Sequence, residues 1–204
     1  PDFRSQMLRE NVKKLDAILF THPHKDHVAG LDDIKAYNFF QQKPMDVVAN
    51  SLTQNELRRE FPYIFAADKY PGVPAVNLHE ITDQTFIVGD IPVIPILVYH
   101  LKMPVLAFRF GNFTYITDAN RIDDSEKEKI KGSEVIVINA LRKKEHISHF
   151  NLSEAADLVE ELQIPKAYFT HISHQLGLHD EINSELPNNI ELAWDGLTIN
   201  LPGN

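Results

Sequence analysis

Residues 15–30 read Leu-Asp-Ala-Ile-Leu-Phe-Thr-His-Pro-His-Lys-Asp-His-Val-Ala-Gly. Leu15–Phe20 is an apolar run bounded by polar residues, which predicts a buried strand. Directly after it come His22, His24, Asp26 and His27. Imidazole nitrogen and carboxylate oxygen are the usual protein ligands for zinc, manganese or iron. In extended chain the side chains of residues two apart point to the same side, so His22 and His24 are placed to grip one ion together. Asp26 and His27 follow as the chain turns into a helix, and they point at a neighbouring spot. Two adjacent spots imply two ions. A merely solvated polar loop rarely carries three histidines and an aspartate at this spacing.

Outward from this loop, hydrophobic periodicity predicts helices over 5–14, 31–40, 51–61 and 153–162, with Ser51 capping the third. Residues 62–74 read as loop. Strands are predicted at 46–49, 76–81, 84–88, 91–99, 104–110, 113–117, 134–139 and 166–170, and the stretches 191–194 and 197–201 close the chain. Gly111-Asn112 predicts a tight hairpin between two of them. The order is a β-rich middle with helices at both ends and one βαβ unit late. It suggests sheets in the centre and helices outside, an α/β fold. No repeat or linker interrupts the chain, so residues 1–204 are expected to be a single domain.

Composition narrows the function. The 204 residues are 43% hydrophobic and 24% charged, with a net charge of −9. Basic residues are dispersed, which argues against a nucleic-acid-gripping surface. No apolar run is long enough to span a bilayer, and the N-terminus lacks the sections of a signal peptide. There is no cysteine, which rules out disulfides and thiolate ligands and fits a cytoplasmic setting. The outstanding number is ten histidines.

The pattern Thr21-His22-x-His24-x-Asp26-His27-x-x-Gly30 resembles the signature of the metallo-β-lactamase superfamily. The resemblance implies an αββα sandwich and a dinuclear metal site. It also implies the remaining ligands: a histidine at a strand end, matched by His100; a bridging aspartate, matched by Asp118 in Tyr-Ile-Thr-Asp; and a last histidine, matched by His171 in Tyr-Phe-Thr-His-Ile-Ser-His. His22, His24 and His100 are then expected on one ion and Asp26, His27 and His171 on the other, with Asp118 shared. Asp16 matches an acid that braces the histidine loop, though an ordinary strand-opening acid fits as well.

His149 lies shortly before the predicted helix 153–162. Its spacing to His171 resembles that of the superfamily's phosphodiesterase branch, which includes the tRNA 3′-processing nucleases and a phosphodiesterase that hydrolyses cyclic ribose phosphates. The resemblance implies that His149 is catalytic, as an acid or a phosphate contact; Asp26 or Asp118 is expected to orient the nucleophile. His146 and Ser148 are candidate neighbours, and Arg142 and Arg121 are weaker candidates for a phosphate contact. Members of the branch usually begin with more strands than precede residue 1 here, so the first N-terminal strands are expected to be lacking. A second, structural zinc site uses cysteines absent from this chain, which leaves His174 and His179 expected as neighbours of the ligands or as surface residues; His79 is expected on the surface. A tRNA-gripping arm is not seen.

The expectation is therefore a dinuclear hydrolase holding zinc or manganese, with iron as a third candidate. Its substrate is a small or cyclic phosphodiester, with no nucleic acid or membrane partner and a homodimer left open. A thioester or lactone hydrolase on the same metals, or a non-catalytic metal-binding homologue, are the alternatives.

Overall fold

The structure, a computed structural model, describes residues 2–201. Its contacts cluster into two compact units, Pro1–Thr82 and Asp83–Asn204. Both pair a sheet with helices, so the fold is mixed α/β.

In the first unit, α1 (Phe3–Arg9) is followed by β1 (Ala17–Leu19), α2 (Lys25–Val28) and a 3-10 helix (Ala29–Ile34) that runs on into α3 (Lys35–Gln41). Then come β2 (Met45–Ala49), α4 (Ser51–Glu60), α5 (Pro62–Phe65) and β3 (Val76–Glu80). The strands form a parallel sheet in the order β1-β2-β3, with Ile18 opposite Val47 and Val47 opposite Leu78. Val47, Ala49, Leu57 and Ile64 are fully buried in its core. The first helix starts earlier than the expected 5–14 and stops at Glu10, because Asn11 takes a left-handed φ of 53°. Asn50, not Ser51, caps α4: its side chain accepts from the Thr53 N–H at 2.8 Å. The stretch expected as loop from 62 holds α5, begun by a proline at a position that needs no N–H donor. Gly30 sits where the backbone passes α1 so closely that a Cβ would lie 2.5 Å from the Phe3 Cβ.

The second unit contains β4 (Phe86–Val88), β5 (Ile91–His100), β6 (Met103–Phe110), β7 (Phe113–Tyr115) and β8 (Arg121–Ile122). After these come α6 (Asp124–Ile130), β9 (Val135–Asn139), α7 (Leu152–Glu161), β10 (Lys166–Thr170), α8 (His179–Glu185) and β11 (Ile190–Leu192). The sheet order is β11-β10-β9-β7-β6-β5-β4, with β8 on β5. Pairing is antiparallel from β4 to β7 and parallel from β7 through β9 and β10 to β11. The two-residue hairpin at Gly111-Asn112 joins Phe110 to Phe113 as expected. β8, α6 and α8 were not foreseen.

Prolines within β5 are tolerated for a local reason. β4 pairs with Ile91–Val93 and β8 with Val98-Tyr99, leaving the stretch between them without a neighbour on that side. Pro95 falls there and has no N–H to satisfy, while the Leu97 N–H donates to Glu126 Oε2 at 2.7 Å. Helix α7 packs Ala155, Leu158 and Val159 into a core that also holds Ile136, Ile138 and Phe169. Each fully buried large side chain there stabilises the unit by about 1.5–3 kcal/mol. Among the described residues no helix is long and apolar enough to cross a membrane.

Candidate metal centre

The first unit brings four expected ligands together. β1 continues its ladder through the Phe20 N–H, which donates to the Val48 carbonyl. The chain stays extended to His24, which caps the N-terminus of α2 with φ −60° and ψ 148°. The His22 ring is fully buried, and it shares a hydrogen bond with the Thr21 hydroxyl at 3.0 Å through Nδ1. Its centroid lies 4.7 Å from that of His24 and 4.2 Å from that of His27. Asp26, in the first turn of α2, places Oδ2 3.2 Å from His27 Nε2. Asp16 does not brace this loop: its half-exposed carboxylate pairs with Lys14 at 2.6 Å, a contact that lowers its pKa.

The second unit gathers His100, Asp118, His149 and His171. His100 is the last residue of β5 and His171 the first after β10. Asp118 follows β7, which extends by one ladder bond from the Ile116 N–H to the Val137 carbonyl. Asp118 and His171 lie just past the carboxyl ends of β7 and β10, which pair parallel through β9, where α/β proteins place ligand-binding groups, while His100 ends the antiparallel β5. His100, Asp118 and His149 each offer a ligand atom within 4.8 Å of the others. His171 Nδ1 lies 3.1 Å from Asp118 Oδ1, and His149 Nε2 lies 3.5 Å from Asp118 Oδ2. The His149 and His171 rings stack at 5.0 Å with an interplanar angle of 12°. A carboxylate ringed by imidazoles, in a pocket of buried or half-buried residues, is a donor set that fits a divalent cation.

The backbone here is held tightly. Asp118 and His171 both adopt left-handed φ values, 56° and 53°. Such conformations persist only where surrounding contacts enforce them. Asn139, fully buried at the end of β9, supplies that enforcement for Asp118. Its Oδ1 accepts from the Ala119 N–H at 2.7 Å, and its Nδ2 donates to the Ala119 carbonyl at 2.9 Å. The Thr117 hydroxyl donates to Asp118 Oδ1 at 2.7 Å. Asn120 ties three segments together: its N–H donates to the Tyr99 carbonyl, its Oδ1 accepts from the Leu101 N–H, and its Nδ2 donates to the Ile147 carbonyl. Burial and the Asp118 charge together raise the pKa of the Tyr115 phenol.

His149 is set by the chain around it. The Phe150 N–H donates to the Ala119 carbonyl at 2.7 Å, and Asn151 then opens α7 with a reciprocal capping box to Glu154. Ser148 links the histidines. Its carbonyl faces His100 Nδ1 at 2.8 Å, its N–H donates to His146 Nδ1, and its hydroxyl lies 3.1 Å from His149 Nδ1 and 3.3 Å from His146 Nδ1. The His100 contact requires a proton on Nδ1 and leaves Nε2 to serve as a ligand. Burial, followed by the charges of His149, Arg142 and His100, lowers the pKa of His146.

Two weaker expectations fall away. The Arg142 guanidinium donates to the carbonyls of Lys144 and Glu145 and to Gln175, so it orders its own loop. Arg121 stacks 3.9 Å from the Tyr99 ring centroid and pairs with Asp123. His174 and His179 are exposed, and His79 pairs with Asp46 on the surface of the first unit. Asn139 and Asn120 were not singled out by sequence, whereas Ser148 was, as a neighbour of the site. The only local signal was an asparagine closing the buried run Val135–Asn139.

The chain is similar to known proteins over most of its length. Residues 1–172 match the family model described as a beta-lactamase superfamily domain. The chain is 38% identical to a crystallised diphosphatase of the PhnP family, covering 97% of this chain and 75% of that one, with a TM-score of 0.89. Human tRNase Z, short form, has the same fold at 16% identity and a TM-score of 0.69, covering 98% of this chain and 81% of that one. A curated protein named octanoyltransferase, from Porphyromonas gingivalis (strain ATCC BAA-308 / W83), is 36% identical over 199 residues, 97% of this chain. The chain spans 40% of that relative's length. The fold family implies divalent metal binding, and the histidine and aspartate groups present fit it. The chain belongs to the beta-lactamase superfamily, with the metallo-β-lactamase fold that the PhnP-family diphosphatase shares.

Proposed function

We propose that the chain is a metal-dependent hydrolase of small phosphodiesters, cyclic ones among them. The observation that carries this is the placement of His149: buried, stacked on His171, with Nε2 aimed at Asp118 and Nδ1 turned back to Ser148. In this reading His22, His24, Asp26 and His27 of the first unit and His100, Asp118 and His171 of the second are ligands for two divalent ions, zinc or manganese. When bound, such ions supply Lewis acidity and a water of lowered pKa. Asp26, a largely exposed carboxylate beside His27, orients the attacking water. His149 gives its Nε2 proton to the departing oxygen: the N–H bond breaks, an O–H bond forms, and the alcohol leaves neutral. The absence of cysteine supports a cytoplasmic setting.

A second reading is cleavage of a diphosphate linkage, favoured by the diphosphatase similar to this chain. Purified, metal-loaded protein should be assayed against bis-p-nitrophenyl phosphate, a cyclic ribose phosphate, a nucleoside diphosphate, a thioester and a lactone. Turnover greatest on the diesters supports the first reading. Turnover greatest on the diphosphate selects the second, and turnover confined to the thioester or lactone overturns both.

A further inference from the structure

The histidine pair His146 and His149 carries information beyond their proximity. Their Nδ1 atoms lie 3.1 Å apart, so one donates and the other accepts. The direction is set by a third group. The Ser148 backbone N–H can only donate, and it donates to His146 Nδ1 at 3.4 Å. His146 Nδ1 is therefore the unprotonated nitrogen of its ring. It follows that the proton between the two rings sits on His149 Nδ1. The Ser148 hydroxyl oxygen lies 3.1 Å from His149 Nδ1, where it accepts from the same N–H.

This arrangement fixes the other face of His149. With Nδ1 carrying the proton, Nε2 is the atom whose proton comes and goes. Among the described residues Nε2 is buried and makes no hydrogen bond, and it faces Asp118 Oδ2 at 3.5 Å. A neutral imidazole with the opposite tautomer would present an N–H at that face and could not take a proton back. After giving its proton away, a cationic His149 returns to the one neutral form that Ser148 and His146 hold.

We propose that His146 is a positioning residue for His149, acting with the Ser148 hydroxyl to keep the His149 proton on Nδ1 and its Nε2 directed at Asp118. The role in turnover rests on the phosphodiesterase reading above; the tautomer does not. Neither His146 nor Ser148 needs to touch substrate. The chain is short and local, because residues 146–149 belong to one loop whose course is fixed by Arg142 on one side and the α7 capping box on the other. His146 also lies where its partial burial disfavours a charged ring.

The test is nitrogen-15 NMR of the full chain, metal-free and at a pH where the rings are neutral. The correlation of each ring nitrogen with the ring carbon-bound protons reports the tautomer directly. The wild type is expected to show His149 protonated on Nδ1. His146→Phe keeps a ring but removes one acceptor, and Ser148→Ala removes the other. Each should shift His149 towards the Nε2-protonated form. His146→Asn places an amide oxygen near the position of Nδ1 and should restore the wild-type tautomer. With metal supplied, His146→Phe should bind as much metal as wild type yet lose about 10- to 100-fold in turnover of a diester with a poor leaving group, the usual effect of removing a partner that orients an active group. The loss should be smaller with a good leaving group and largely recovered in His146→Asn. Should His146→Phe not fold, Ser148→Ala carries the same tautomer prediction. An unchanged His149 tautomer in the folded variants overturns the proposal. A shifted tautomer in a protein that hydrolyses no phosphate ester upholds it and overturns the phosphodiesterase reading instead.

Discussion

Asp118 and His171 face one another across 3.1 Å, and each holds a left-handed backbone conformation to do so. Strain at two facing residues implies that their geometry is enforced by neighbours, and that separate substitutions around them should have separable effects.

The first separation is between ligand and acid. His171→Ala should weaken metal binding, and its activity should recover in part at high metal concentration. His149→Ala should retain the wild-type metal content while losing about 10²- to 10⁴-fold in turnover, the usual contribution of a general acid. Elemental analysis of both variants beside steady-state kinetics checks this. Metal lost from His149→Ala and kept by His171→Ala would reverse the two roles.

Asn139 should matter without touching substrate. Asn139→Ala leaves the buried Ala119 N–H without its acceptor, at a cost of about 1–3 kcal/mol. Thermal unfolding should register that loss, and metal titration should show weaker binding because the chain at Asp118 is no longer clamped. An unfolding midpoint equal to wild type would mean that water replaces the side chain without cost.

Gly30 tests the packing of the first unit. Gly30→Ala would drive a methyl group to 2.5 Å from the Phe3 Cβ, an overpacking that costs about 1–3 kcal/mol. The Phe3 side-chain ring lies beyond that contact, so Phe3→Ala alone relieves only part of the crowding. The melting temperature of Gly30→Ala should fall by several degrees and be partly regained in the double variant. A melting temperature of Gly30→Ala equal to wild type would contradict the clash.

Tyr63 supplies an alkaline signature. Partial burial, then the hydrogen bond to Asp32 and its charge, push the phenol pKa up to about 12 from its ordinary 10.0. The folded chain therefore holds this proton more tightly than the unfolded chain does. The resulting stabilisation is fully present below pH 10 and is lost as pH rises towards 12. Denaturant unfolding across that range should fall less steeply in Tyr63→Phe than in wild type. Parallel curves would remove Tyr63 as the cause.

Much of this was legible in the sequence because its signals are local. The loop after β1 announces itself by ligand spacing, and the hairpin at Gly111-Asn112 by composition. The strand Lys166–Thr170 has the bounds that its apolar run predicts. What escaped depends on partners distant in sequence. Asn139 clamps Ala119 through hydrogen bonds that no pattern around either residue encodes. Arg142, an apparent phosphate contact, spends its donors on neighbouring carbonyls. β8 is too short for a periodicity, and the end of the first helix was misplaced because the left-handed turn at Asn11 leaves little trace in residue type.

The parallel ladder of the second unit also governs when its histidines can meet. β7 pairs with β9 and β9 with β10, each across a connection that contains a helix. Contacts so far apart along the chain form slowly, since much backbone must be ordered before they reward it. On the ribosome, His100 and Asp118 emerge long before His149 and His171. For most of synthesis they are separate side chains on an incomplete sheet. Metal capture by this unit is thus a late event in its biogenesis, and a chain arrested before β10 retains its early ligands without the set they belong to.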